Sequence, residues 1–160
     1  MIEWVGRVMF SELKGAARYE AMIAEAEAAP EDCHGLFLDP DLLIKKGAMN
    51  GLSLDVDRGT IYRAALTGLV RRLKTGLATL ETAGNFHAEE LTLVGGGTRN
   101  QFWTQLKANA LGIPVRTLDE PEVTVLGAAM VAFWGVGLFG SPEEARQHFN
   151  LPSQVTFPAG

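Results

Sequence analysis

Beyond residue 85 the sequence switches repeatedly between short apolar runs and helical spacing, and this alternation limits the fold more than any other feature. Residues 91–94 form a short apolar run, followed by Gly95-Gly96-Gly97. Residues 100–111 then carry helical spacing, with Gly112 in the stop position and Pro114 just beyond. Residues 115–118 read as a strand and 123–134 as a helix. Strand, helix, strand, helix in this order predicts α/β architecture with parallel pairing, because parallel neighbours need a crossover.

The first half is more helical. Ile2, Val5, Met9 and Leu13 fall close to one stripe, predicting a helix over 2–13. A second helix is stopped by Pro30. Residues 35–38 read as a short buried strand and 51–56 as a half-exposed one. The longest helix spans 57–81, with Leu66, Leu69, Leu73 and Leu77 on its apolar stripe and Arg63, Arg71 and Lys74 off it. Ser141 caps a last short helix that has Pro142 at its first position. At 160 residues the chain is expected to be one domain, residues 1–150, with 151–160 as a proline-containing tail.

Charge and composition exclude several classes. Fourteen basic residues against 19 acidic ones leave a net charge of −5, which is not the basic face of a nucleic-acid binder. Arg71, Arg72 and Lys74 form the densest basic cluster and read as a solvated helix face. Residues 123–142 contain no charge, but Gly127, Gly135, Gly137 and Gly140 interrupt them and Glu122 and Glu143 flank them. That pattern predicts a buried helix ending at Gly135, not a membrane span. Cys33 has no partner for an intramolecular disulfide, and residues 1–7 lack a secretory pattern; both suit the cytoplasm.

The chemistry concentrates at residues 91–100. A strand running into Gly95, Gly96 and Gly97 lets the backbone turn tightly and a flat ligand come close. The following helix offers unpaired N–H groups and a positive dipole end, which favour phosphate. A nucleotide cradle and a plain strand-to-helix turn are both consistent with this stretch. A dinucleotide fingerprint fails, because Asn100 stands where its third glycine belongs. A P-loop fails for want of Gly-Lys-Ser/Thr. Gly127-Ala128-Ala129 gives a small-residue face that reads as tight packing. Cys33-His34 lacks zinc-ligand spacing, and His87 and His148 sit in surface contexts. Asp39, Asp41, Asp55, Asp57 and Asp119 stand in turns or helix starts, where Asp is expected as a cap. No catalytic constellation and no metal site emerge.

Five collinear segments carry a resemblance. They are Glu3-Trp-Val-Gly-Arg7, residues 58–66 (Arg-Gly-Thr-Ile-Tyr-Arg-Ala-Ala-Leu), residues 94–100 with Trp103 and Gln105, residues 111–115, and Thr124-Val-Leu-Gly-Ala-Ala129 running to Gly137. Together the chain resembles the C-terminal domain of the FGGY family of carbohydrate kinases. Asn100 and Lys107-Ala-Asn109 lie closer to members acting on L-fuculose than to xylulose kinases; xylulose and rhamnulose kinases are the alternatives within the family. Thr60 and Thr67 depart from the family signature.

The resemblance implies a ribonuclease-H-like, actin-like ATPase domain, the C-terminal half of a two-domain sugar kinase. It implies that Gly95, Gly96, Gly97 and Asn100 line the adenosine site of ATP or ADP, with Thr98 and Arg99 beside it. It places the catalytic aspartate and most of the sugar site in a first domain that these residues do not contain, with Mg2+ held mainly through the nucleotide and that domain. It further implies that the domain's opening strands are missing. That predicts an inactive chain and an open sheet edge prone to self-association. A non-catalytic oligomerisation module is the alternative from another class.

Overall fold

A computed structural model of the chain describes residues 1–40, 47–118, 120, 122–149 and 151–159. The chain divides into two units, Met1–His87 and Ala88–Gly160.

The first unit is helical. Helix α1 spans Ile2–Met9 and α2 spans Gly15–Ala28. A 3-10 turn at Cys33–Gly35 leads to a two-residue hairpin of strands β1 (Phe37–Leu38) and β2 (Met49–Asn50). Helix α3 then runs from Arg58 to Gly84. Asp57 caps it as the sequence predicts, its carboxylate accepting the Thr60 N–H at 2.7 Å. The amino-terminal half of α3 is the core of this unit: Tyr62, Ala65 and Leu66 are buried where α3 packs on α1 and α2, and Val5, Phe10, Met22 and Ala26 are buried with them. Its outer half is solvated, with Leu80 exposed.

Glycine permits the close α2–α3 packing. A methyl at Gly59 would stand 2.5 Å from the Glu25 carbonyl oxygen. Next to it, Arg58 reaches back to α2 and donates from Nε to Glu25 Oε2 at 2.8 Å, pairs with Glu12 and lies 4.3 Å from the centre of the Phe10 ring. Arg63 stands off the apolar stripe, as expected, yet it is buried. Its Nη1 donates to the carbonyls of Ala26 and Ala29 at 3.1 and 3.0 Å, satisfying the open carboxyl end of α2.

The half-exposed strand expected at 51–56 does not form. Leu54 is fully exposed, and the pairing residues are Met49 and Asn50 just before it. Gly51 turns the chain away at φ +83°. The first helix also ends earlier than expected, at Met9.

The second unit holds a three-stranded sheet. Strands β3 (Leu91–Leu93) and β4 (Val115–Leu118) run parallel, with Leu91 opposite Val115. Helix α4 (Gln101–Leu111) makes the crossover, ending at Gly112 with φ +71°. Helices α5 (Val123–Gly135) and α6 (Pro142–His148) follow. Ser141 caps α6, its hydroxyl accepting the Glu144 N–H at 3.1 Å.

Three expectations change here. The tail is a strand: β5 (Ser153–Thr156) pairs antiparallel with β4, Val115 opposite Thr156 and Leu118 opposite Ser153. Helix α5 has no buried residue, and Val125, Val131 and Trp134 are exposed. An uncharged stretch thus predicts an apolar helix correctly, but burial depends on a covering partner. Strand β3, read as buried, pairs along one edge only among the described residues; Thr92 faces solvent and Val94 just after it is exposed. No helix of the described residues is long and apolar enough to cross a membrane.

Candidate functional site

The glycine turn stands at the carboxyl end of β3. Gly95 adopts φ +86°, a conformation that side chains rarely tolerate, and reverses the chain out of the sheet. A 3-10 turn at Gly96–Arg99 follows. Thr98 locks it, its N–H and hydroxyl both donating to the Gly95 carbonyl, at 3.1 and 2.8 Å. Gly95, Gly96 and Gly97 are all exposed, so a ligand can lie against their backbone. The turn thus combines the conformation and the accessibility that the sequence predicts.

Asn100 has a structural task. Its Oδ1 accepts the Trp103 N–H at 2.9 Å and caps α4. The Trp103 ring lies under the turn: a methyl at Gly97 would approach it to 3.1 Å. On α4 the Lys107 ammonium sits 3.6 Å from the centre of the same ring. Lys107 is buried, and burial pushes its ammonium down to about 8. The negative ring face opposes that loss of charge. Gly97, Trp103 and Lys107 therefore form one stack beneath the turn.

A crevice of about 390 Å³ opens beside the turn. Thr98, Arg99 and Gln101 line one side, Thr117 lies at the end of β4, and Ser153 and Gln154 stand on β5. It therefore lies just outside the carboxyl ends of the parallel pair, where open α/β sheets take their ligands. Of the expected site residues, Thr98 and Arg99 line this crevice; Gly95, Gly96, Gly97 and Asn100 form the adjoining turn. Sequence reasoning misses Ser153 and Gln154 because their segment reads as a tail, and Gln101 and Thr117 because only the fold brings α4 and β4 together beside the turn.

The crevice wall is braced. Arg116 pairs with Glu90 through two contacts of 2.7 Å and donates from Nη1 to the Ser153 hydroxyl at 2.9 Å. The guanidinium holds the Glu90 carboxyl below its ordinary range. Gln101 Nε2 donates to Gln154 Oε1 at 3.2 Å, joining α4 to β5 across the crevice.

The other candidates are structural. Cys33 is buried, and desolvation pushes its thiol above the ordinary value, opposite to a nucleophile's need. His34 follows it on an exposed left-handed turn. Among the described residues no group of three or more His, Cys, Asp or Glu could hold a metal ion. Asp41 and Asp119 lie outside the described residues.

The chain is similar to known proteins over nearly all of its length. The family model described as the C-terminal domain of the FGGY family of carbohydrate kinases matches residues 1–136. Over 159 residues the chain is 43% identical to an L-fuculokinase of Salmonella typhi, covering 99% of this chain and 33% of that protein. It is 38% identical over 165 residues to an L-fuculokinase of Haemophilus influenzae, covering 99% and 34%. In structure it is similar to a xylulose kinase from Rhodospirillum rubrum, with a TM-score of 0.82 at 25% identity, covering 99% of this chain and 33% of that one. The chain spans about a third of the length of these relatives.

Proposed function

The chain belongs to the FGGY family of carbohydrate kinases as its C-terminal domain, and from that premise we propose that it forms the nucleotide-binding part of an ATP-dependent sugar kinase. The glycine turn carries this reading. It presents an exposed, hydroxyl-braced backbone at the carboxyl end of β3, beside a crevice of about 390 Å³. The residues fit a nucleotide: Gly95, Gly96, Gly97 and Asn100 would hold its adenosine end, with Thr98 and Arg99 beside it. When bound, ATP supplies the phosphoryl group. No group of three or more His, Cys, Asp or Glu among the described residues could hold a divalent ion, and in our reading Mg2+ is held through the nucleotide and the family's first domain.

The acceptor sugar in our reading is L-fuculose, since the L-fuculokinases share 38–43% identity over nearly the whole chain. A cytoplasmic location follows from such a substrate. Phosphoryl transfer depends on positioning the acceptor hydroxyl and stabilising the moving charge. In our reading the sugar site and the base on the acceptor hydroxyl belong to the family's first domain. We therefore expect the chain alone to bind Mg-ADP yet transfer no phosphate to L-fuculose. Calorimetry with Mg-ADP and a coupled assay test the two halves; absence of binding by a folded chain, or turnover near that of a whole kinase, overturns the corresponding half. Asn100→Ala should weaken ADP binding, but it also removes a helix cap worth about 1 kcal/mol. Its melting temperature must therefore be read alongside.

The edge of β3 opposite β4 has no strand on it among the described residues. We infer that it recruits one, so that the isolated chain self-associates. Light scattering at rising concentration should show a mass above 17.3 kDa; a strictly monomeric mass throughout contradicts this.

A further inference from the structure

We propose that the cleft between α1 and α2 is a second small-molecule site, and that it takes a sugar bearing one phosphate group. The site is independent of the nucleotide reading: it lies in the first unit and shares no residue with the glycine turn. It also gives a task to Glu3-Trp-Val-Gly-Arg7, a segment that nucleotide binding leaves unused.

The cleft encloses about 360 Å³, within the roughly 300–1,000 Å³ of small-ligand sites. Met1, Glu3, Trp4 and Arg7 line it from α1 and its cap, and Arg18 lines it from α2. Glu3 and Arg7 stand four residues apart and so share a helix face. Gly6 lets Arg18 come close, since a methyl there would stand 3.4 Å from the Arg18 Nε. The Arg18 side chain is thus seated against α1, only 22% exposed, and its guanidinium is held at the cleft before any ligand arrives.

The polar groups of the cleft are open. Arg7 makes no ion pair among the described residues. Arg18 approaches Glu3 at 3.6 Å, beyond hydrogen-bond reach, so both keep their hydrogen-bonding capacity. Two guanidinium groups with free N–H donors fit the oxygens of one phosphate. In a chain of net charge −5, general basicity does not account for such a pair. Glu3 argues against a bare anion, because its carboxylate repels one yet accepts hydrogen bonds from hydroxyl groups. Trp4 is half-buried, and its ring offers an apolar plane for the C–H face of a sugar. A sugar monophosphate supplies all three complements: a phosphate for the arginines, hydroxyls for Glu3 and a C–H face for Trp4.

The test is calorimetry of the full 160-residue chain with glucose 6-phosphate, and with glucose and inorganic phosphate as separate probes. Glucose 6-phosphate should bind at least tenfold more tightly than either half. Arg7→Gln should weaken it by about tenfold or more, the worth of one charge-assisted hydrogen bond. Arg7 is exposed, so this variant is expected to keep the melting temperature. Glu3→Gln should narrow the margin over inorganic phosphate, because the bare anion no longer meets a carboxylate. Lys74→Gln removes the same charge from an exposed face of α3 and should leave binding unchanged. An equal loss in the Arg7 and Lys74 variants would reduce the effect to general attraction and overturn the site. Inorganic phosphate binding as tightly as glucose 6-phosphate overturns the sugar assignment, and no binding of glucose 6-phosphate by the folded chain overturns the proposal outright. Binding of Mg-ADP is measured separately, so failure here leaves the nucleotide reading standing.

Discussion

Gly59→Ala is expected to lower the melting temperature of the first unit by about 10 °C or more. A methyl there would stand 2.5 Å from the Glu25 carbonyl oxygen, 2.8 Å from its carbon and 2.9 Å from the Glu25 Cβ. Two of those three atoms belong to the backbone of α2, which cannot swing aside as a side chain can. Overpacking of this kind costs about 1–3 kcal/mol, and contact with backbone places it at the upper end, about 3 kcal/mol. In a domain of under 100 residues each kcal/mol moves the midpoint by about 4–8 °C. The Arg58 contacts to Glu12 and Glu25 start from the neighbouring residue, so a displaced α3 would loosen them too. Gly76→Ala in the same helix is the control. Nothing lies within 4 Å of a methyl at that position, and an exposed helical Gly→Ala stabilises by about 0.5–1 kcal/mol. Thermal melting followed by circular dichroism checks both, and equal midpoints for the two variants would show that α2 and α3 are not this close.

Ending the chain after Leu151 is the second large perturbation. It removes β5 and with it four register pairs to β4. A four-residue antiparallel pairing contains about four backbone hydrogen bonds, each worth about 1 kcal/mol net, so about 4 kcal/mol is at stake in the second unit. The deletion also strips the Ser153 hydroxyl from Arg116, the Phe157 carbonyl from Gln105 and the Ala159 N–H from Asn109. Hydrogen exchange should then show amides of residues 91–93 and 115–118 losing protection while those of 59–70 keep theirs. Unchanged protection in β4 would mean that β5 adds nothing to the sheet.

These two sites also mark where sequence reading succeeded and failed. Local signals were legible: Asp57 before α3, Ser141 before Pro142, and Gly112 after α4 all act within one helical turn of the residues they cap. The glycine turn was legible for the same reason, since Gly95 and Thr98 settle it between themselves. Properties that depend on a distant partner were not. Residues 153–156 are largely polar and follow a proline, and nothing local distinguishes such a strand from a tail until β4 is placed beside it. Arg63 reads only as off the apolar stripe of α3, and nothing local shows that the carbonyls of Ala26 and Ala29 stand opposite it. Half of the candidate site was therefore readable, from Gly95 to Asn100. The half on β5 was hidden behind one missed pairing. Burial of α5 failed likewise, because uncharged composition does not name a neighbour.

The β4–β5 pairing carries a consequence for synthesis. Helices α2 and α3 sit close together in the chain, and the first unit can assemble from what has already emerged from the ribosome. The sheet of the second unit cannot. Strand β4 can pair with β3 upstream but must wait for its second partner, roughly forty residues downstream, a delay of about two to eight seconds at ordinary translation rates of 5–20 residues per second. During that interval Val115 and Thr117 present an unpaired strand edge to the crowded neighbourhood of the exit tunnel. The chain's last strand thus decides when the crevice exists at all, and the interval before it arrives is the time at which a nascent chain is most open to capture by another.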